Sequence, residues 1–224
     1  MTGVPIDGAG FVIILPAGVS NERRSSAMSN RIERSALFES SQWKAVAFDE
    51  SDAPVLQQFF EHNPEYFLLC NGRPPVEDEA LQELRSTPPA EMTYTTQWFL
   101  AILDEAGEII AIAAVLSDFI AEHAWLISLF IVASSLHGTG QAKQMYDRLE
   151  EWMQTNGAAW LRLGVVRGNV KAERFWENMG YMQVRERHDV PSGIQVNTLR
   201  VMVKPLAGGS LTKYLTKVER DRPD

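Results

Sequence analysis

The chain has little cysteine and no long apolar run. Cys70 is the single cysteine in 224 residues, which excludes an internal disulfide and is typical of a protein from the reducing cytoplasm, where we expect this one. The longest apolar run near the N-terminus, Phe11 to Leu15, is far shorter than the roughly 20 residues that span a membrane. No basic residue precedes it, so we expect neither a signal peptide nor a membrane partner.

An excess of positive charge is also missing. The 21 lysines and arginines face 29 acidic residues, for a formal net charge of −8. Because affinity for nucleic acid depends on cationic contacts to phosphate, we expect no nucleic-acid partner. A few basic side chains nevertheless gather near one glycine-rich segment, which favours a local anion site in an acidic protein. They are Lys143, Arg167, Lys171 and Arg174.

Periodicity divides the chain into three parts. Residues 1–42 mix glycine, serine and asparagine without a sustained period, which predicts a flexible N-terminal extension. Residues 43–204 alternate strand and helix patterns and predict one domain, and residues 205–224 are interpreted as a polar C-terminal tail. With 45% hydrophobic residues the chain can bury a core. The element order β-α-α-β-β-β-α-β-α-β-β indicates an α/β fold with a mixed sheet and helices on both faces.

A glycine-rich turn lies between the two clearest elements. The nearly continuous apolar run from Ala124 to Ala133 predicts a strand covered on both faces. Residues 141–154 carry apolar side chains at helical spacing and predict an amphipathic helix. Gly138 and Gly140 fall between them. Such a turn presents bare N–H groups and the positive end of a helix dipole, which favours phosphate binding.

Two common nucleotide sites do not fit this turn. A dinucleotide-binding turn needs a third glycine where Lys143 stands, and an acidic residue at the end of the next strand, which here ends in Val166 and Arg167. The Gly-Lys-Ser/Thr sequence of a P-loop is absent as well.

A second motif follows, and the two together carry a resemblance. The turn fills an Arg/Gln-x-x-Gly-x-Gly/Ala signature with a histidine at its head, and a pattern of the form Asn-x-x-Ala-x-x-Phe-Tyr-x-x-x-Gly-Phe follows. In this spacing the chain resembles the GNAT superfamily of acyl-CoA N-acyltransferases. The first motif consists of His137, Gly138, Thr139, Gly140, Gln141 and Ala142, and the second of Asn169, Ala172, Phe175, Trp176, Gly180 and Tyr181.

The resemblance implies a fold, a reaction and a co-substrate. It implies a GNAT-like, mostly antiparallel central sheet, and transfer of an acetyl or other acyl group from acetyl-CoA to a primary amine by direct attack. No metal is implied. The acceptor is a small-molecule or peptide amine of unknown identity, and a homodimer stays open.

Residue roles also follow from the resemblance. The glycine turn would bind the CoA pyrophosphate, and Asn169 the pantetheine arm. Phe130, Ile131 and Val132 would offer main-chain groups to the pantetheine amides and the acyl carbonyl. Glu65 and Tyr66 would border the acceptor. Our first choice for a general base is Glu122, because a carboxylate entering the central strand could poise a water near the thioester; Asp118 and His123 are the alternatives.

Two departures from the family pattern affect the chemistry. Trp176 stands in the CoA-binding motif where the family often has a tyrosine that protonates the CoA thiolate, and an indole N–H is not a usable acid near neutral pH. His137 lacks the fixed charge of arginine. The tryptophan supports an alternative function, a catalytically impaired CoA-binding regulatory or structural module.

Overall fold

Eight strands form one sheet in the computed structural model, which describes residues 34–223. The strand order is β1-β2-β3-β4-β5-β6-β8-β7, and within these residues only β5 and β6 pair in parallel. The strands are β1 (Phe38–Glu39), β2 (Trp43–Phe48), β3 (Gln97–Asp104), β4 (Ile109–Leu116), β5 (Ala124–Val132), β6 (Trp160–Val166), β7 (Met182–Ser192) and β8 (Gln195–Pro205).

Helices cover both faces of the sheet, as the sequence predicts. On one face α4 and α5 pack together, with the rings of Tyr146 and Trp176 5.2 Å apart. On the other face the Asn197 side chain of β8 donates to the Cys70 carbonyl of α2, and Tyr214 of α6 joins the same side of β8. The helices are α1 (Ala53–His62), α2 (Glu65–Asn71), α3 (Glu79–Arg85), α4 (Gln141–Thr155), α5 (Val170–Asn178) and α6 (Leu211–Lys217).

Hydrophobic periodicity explains the central elements. Every residue of β5 is buried except Ser128, which is the extra residue of a bulge where the register with β4 shifts. The strand order, with one parallel pair among antiparallel ones, confirms the predicted mixed sheet, and β5 lies in its middle. In α4 the apolar stripe faces the sheet, and its buried members are Met145, Tyr146, Leu149 and Met153.

Both ends of the described region differ from the expectation. The C-terminal residues 205–224 do not form a polar tail as far as residue 223, because α6 packs on the sheet and Tyr214, Val218 and Asp221 are buried. Most of the predicted N-terminal extension lies outside the described residues. Its last part adds β1 to the edge of the sheet, and Arg34 pairs with Asp52 at 2.9 Å.

The α2 helix was not expected from the sequence. Asn63-Pro64 predicts a stop, and α1 does end there, but α2 begins at Glu65 directly after it. The helix forms because Tyr66, Phe67 and Cys70 are buried on one side of it. Among residues 34–223, no helix is both long and apolar enough to cross a bilayer.

Candidate active site

A fork opens in the middle of the sheet between β5 and β6. The two strands pair only at Ala124–Trp160, Trp125–Leu161 and Leu126–Arg162. Beyond the Leu126–Arg162 pair, which we call the vertex, β5 stays with β4 and β6 stays with β8. The fork is therefore a gap whose walls are main chain, and its mouth lies at the ends of β5 and β6.

Strand alternation decides which main-chain groups of β5 face the fork. The N–H of Ala133 donates to the Ile110 carbonyl of β4, and the register is regular from Val132 back to Leu129. Because N–H and C=O groups alternate sides along a strand, those of Phe130 and Val132 point into the fork. Those of Ile131 point to β4, so only its neighbours can offer main-chain groups to a ligand there.

The glycine turn at the mouth presents unused donors. Gly138 and Gly140 have φ of +76° and +83°, and an added Cβ at either would meet nothing within 4 Å. Within residues 34–223 the N–H groups of Gly138, Gly140, Ala142 and Lys143 have no acceptor. The turn is thus an open cradle of N–H groups at the start of α4, and it fits a pyrophosphate.

Other atoms of the turn shape it instead. The Thr139 hydroxyl donates to the Leu136 carbonyl at 2.7 Å and accepts from the Gln141 N–H at 3.3 Å. The His137 main-chain N–H donates a hydrogen bond to the Ser134 carbonyl at 3.2 Å. Thr139 and Gln141 therefore fix the shape of the turn, and Gly138, Gly140, Ala142 and Lys143 carry the free N–H donors.

The His137 ring is turned back towards β5. Its Nε2 lies 2.9 Å from the Val132 carbonyl, so Nε2 carries a proton, and Nδ1 is buried with no partner among residues 34–223. Burial lowers the pKa of His137, and Lys171 lowers it further, against the opposing effects of the Val132 carbonyl and Glu65. A neutral imidazole bound to Val132 supplies no positive charge to a phosphate.

Lys171 is one basic residue that can supply that charge. It is exposed in the first turn of α5, and its charge reaches His137 at the mouth. Lys143 is neutralised by Asp147 at 2.6 Å, and Arg167 pairs with Glu186.

Two side-chain donors of α5 are buried without partners. Asn169 accepts a hydrogen bond from the Ala172 N–H as the N-cap of α5, but in the described part of the chain neither its Nδ2 nor Trp176 Nε1 has a partner. Both residues are at most 5% exposed. An unpaired buried donor costs about 1–3 kcal/mol, so these groups are candidates to bind a ligand.

The turn between α1 and α2 is tied to the mouth of the fork. Asn63 Oδ1 accepts a hydrogen bond from the Ser134 N–H at 2.8 Å, and the Ser134 hydroxyl donates one to Glu65 Oε2 at 3.2 Å. At its other end α2 is held to β8 through Asn197. Because Ser134 follows β5 and β8 pairs with β6, α2 crosses the sheet from one side of the fork to the other.

A titratable cluster lies between α2 and α3. Burial raises the pKa of Glu83 to about 7, and the nearby charge of Glu79 adds to the effect, although part of Glu83 remains exposed. The Glu83 charge in turn contributes to raising the pKa values of Tyr66 and Cys70, after burial. Sequence reasoning missed Glu83, because nothing in its spacing distinguishes it from the exposed acids around it.

Glu122 lies at the other end of β5. It precedes Ala124, the first residue that pairs with β6, whereas the glycine turn follows Val132. Its side chain is 74% exposed, and its Oε1 lies 3.6 Å from the imidazole of His123. The structure does not bring Glu122 to the fork, which opens on the far side of the vertex. Within residues 34–223 no group of His, Cys, Asp or Glu is placed to bind a metal ion.

Comparison with protein families gives a match that includes the fork and the turn. The model of the acetyltransferase (GNAT) family matches residues 56–181. No curated protein sequence matches the chain.

Solved structures share the fold at low sequence identity. An acetyltransferase from Thermus thermophilus aligns with a TM-score of 0.59 at 19% identity, over 77% of this chain and 100% of the other. Spermidine N-acetyltransferase from Vibrio cholerae, in complex with CoA and spermine, aligns with a TM-score of 0.57 at 16% identity, over 75% of this chain and 98% of the other. An aminoglycoside acetyltransferase in complex with coenzyme A aligns with a TM-score of 0.54 at 15% identity, over 80% of this chain and 98% of the other.

Proposed function

Because the chain belongs to the GNAT family of acetyltransferases, we propose that it transfers an acetyl group from acetyl-CoA to a primary amine. The observation that carries the proposal is the open cradle of N–H groups at the mouth of a main-chain fork. The cradle would hold the pyrophosphate, and Asn169 and the fork-facing groups of Val132 and Phe130 would hold the pantetheine arm. The acceptor is a small-molecule or peptide amine; solved structures of the same fold include enzymes named for spermidine and for aminoglycosides.

The fork would place the acyl carbonyl next to a donor. The Phe130 N–H points into the gap and has no partner strand on that side. A fixed N–H in a water-poor site stabilises the charge that develops on the carbonyl oxygen as the amine attacks. Most of the remaining acceleration would come from holding the thioester and the amine together.

Glu83 is our proposal for the general base. A carboxyl with a pKa of about 7 accepts a proton at neutral pH and can release it again. It lies beside Tyr66 and Cys70 of α2, the helix that crosses the fork on one face. The role of Glu122 stays a prediction, but a base on the far side of the vertex would need a chain of waters.

The reaction is tested by measuring thiol release from acetyl-CoA with a panel of primary amines, with product acetylation followed by mass spectrometry. We expect at least one amine to be acetylated and CoA to bind. Tight CoA binding without acetylation of any amine would favour the alternative, a CoA-binding regulatory or structural module. The free buried thiol of Cys70 is consistent with a cytoplasmic reaction.

A further inference from the structure

The imidazole of His137 stands in the mouth of the fork. Its Nε2 donates a hydrogen bond to the Val132 carbonyl at 2.9 Å. That carbonyl points into the fork, because the Ala133 N–H donates to Ile110 of β4 and the groups of successive residues alternate sides along a strand. A ring that reaches the carbonyl on its free side therefore lies where the pantetheine arm would pass between β5 and β6.

A short turn brings the ring back to the strand. Residues Ser134–Leu136 form a single 3-10 turn after β5, and the His137 main-chain N–H donates to the Ser134 carbonyl at 3.2 Å. This bond holds the main chain of His137, whereas its side chain can still rotate. The residue is half-buried, so part of it already borders solvent. The ring can thus leave the Val132 carbonyl without a change in the turn.

The present position of the ring, which we call closed, rests on one hydrogen bond and has an opposing cost. Nδ1 is buried and has no partner among residues 34–223. An unpaired buried acceptor is unfavourable, and water satisfies it once the ring is exposed. The free energies of the closed ring and of a ring turned out to solvent, which we call open, therefore differ little.

We propose that His137 gates the fork: its closed imidazole occupies the Val132 carbonyl that the pantetheine arm would use, and CoA binds after the ring opens. The inference rests on the proposed function. Because only molecules with an open ring bind the ligand, the closed state reduces the apparent affinity for CoA by the fraction of molecules that are open.

Protonation of the ring favours the open state. Burial lowers the pKa of His137 in the closed state, and the Val132 carbonyl opposes this effect. Of the charged groups on neighbouring elements, Glu65 of α2 raises the pKa and Lys171 of α5 lowers it, and Lys143 of α4 is held in an ion pair. In solvent the ring regains a pKa of about 6.5. The open fraction, and with it the affinity for CoA, therefore rises as the pH falls below about 6.5.

The test measures the affinity for CoA by isothermal titration between about pH 5.5 and about pH 8, across the ionisation of histidine. His137→Ala removes the ring and keeps the main-chain bond to Ser134. At about pH 8 we expect this variant to bind CoA about fivefold more tightly than the unaltered protein, the effect of removing one closing hydrogen bond. The difference should shrink below about pH 6.5. Ionisation of CoA itself affects both proteins equally and cancels in the comparison.

His188→Ala is the matched control. The His188 side chain is 65% exposed on β7, at the edge of the sheet. This variant removes an imidazole that does not touch the fork, so its affinity for CoA should follow that of the unaltered protein at every pH.

A second measurement uses the unaltered protein and stays valid if His137→Ala folds poorly. The imidazole resonances of His137 are titrated by NMR with and without CoA. Without CoA we expect the tautomer with the proton on Nε2 and a pKa below about 6.5. Saturation with CoA should raise the pKa, because the ring then lies in solvent beside the phosphates that the turn would hold.

Three results would overturn the inference and leave the proposed function standing. The first is equal affinity of His137→Ala and the unaltered protein at every pH. The second is weaker binding by His137→Ala, which would make the ring a contact of the ligand. The third is a His137 pKa that does not change when CoA binds. Failure of both proteins to bind CoA would overturn the proposed function as well.

Discussion

At the scale of single residues, Gly140 shows how a backbone position can define a ligand site. We expect Gly140→Leu to weaken CoA binding by at least about tenfold, since its side chain would fill the cradle and displace a phosphate that accepts charge-assisted hydrogen bonds worth about 1.5–3 kcal/mol each. Isothermal titration with CoA measures the change. Gly107→Leu is the control, because Gly107 has a similar φ of +87° and equally open space. Both variants should lose about 1–2 kcal/mol of stability, but only the first should lose CoA.

Lys171 tests whether side-chain charge adds to the donors of the turn. We expect Lys171→Ala to weaken CoA binding by about fivefold at low salt, or about 1 kcal/mol, because the residue is exposed and its charge is screened. The difference should shrink as salt is added. Lys213→Ala removes the same charge from α6 and should leave affinity unchanged; an equal effect of both variants would attribute the change to net charge alone.

At the scale of elements, the burial of Glu83 on α3 creates a pH-dependent stability. Burial raises the pKa of Glu83 to about 7, above its pKa of about 4.3 in the unfolded chain. The stability that Glu83 contributes is therefore fully present below about pH 4.3 and is lost as the pH rises through 7. As the pH rises from 5 to 8, we therefore expect the free energy of unfolding of Glu83→Gln to increase by about 1–2 kcal/mol relative to that of the unaltered protein. This value already allows for the partial exposure of the residue. Urea unfolding at each pH measures it.

The same variant tests the proposed base. If the pH–rate profile of acetyl transfer loses its ionisation near pH 7 and CoA affinity changes little, the result supports the role of Glu83. Glu77→Gln, at an exposed position of the same segment, should alter neither stability nor rate. A Glu83→Gln enzyme with an unchanged pH–rate profile would exclude Glu83.

At the scale of the whole molecule, the C-terminal segment is a structural part of the domain. Asp221 is fully buried. Its carboxylate accepts hydrogen bonds from Arg162 at 2.7 Å and from the Tyr214 hydroxyl at 2.6 Å. Burial alone would raise the pKa of Asp221, but the Arg162 charge holds it below its usual range. Arg162 is the β6 residue of the vertex, so the end of the chain supports the strand that forms the fork.

We expect Asp221→Asn to lower the free energy of unfolding by about 3–5 kcal/mol, because it leaves the Arg162 charge buried and unpaired. In the unaltered protein this stabilisation should be present above about pH 4 and be lost as the pH falls further, since the native pKa lies below the unfolded one. Denaturant midpoints measured against pH check both statements. Glu219→Gln, which removes the exposed pair with Arg222, should cost less than about 1 kcal/mol.

The amino-acid sequence alone determined the family, the fold class and the central elements. Residues that are neighbours along the chain carry those signals: the apolar run of β5, the stripe of α4, and the two motifs around Gly140 and Asn169. Their periodicity and turn chemistry are local, and the apolar run from Ala124 to Ala133 predicts the limits of β5, Ala124–Val132, to within one residue.

The tertiary structure alone decided where donors and charges are free. Strand alternation selected Phe130 over Ile131, the register at the vertex separated Glu122 from the fork, and packing raised the pKa of Glu83. It also turned His137 towards Val132, enclosed the Trp176 indole, and buried the C-terminal Asp221 against Arg162. Each of these depends on contacts between distant parts of the chain, and a buried group acquires its chemistry from such contacts and not from its position in the sequence.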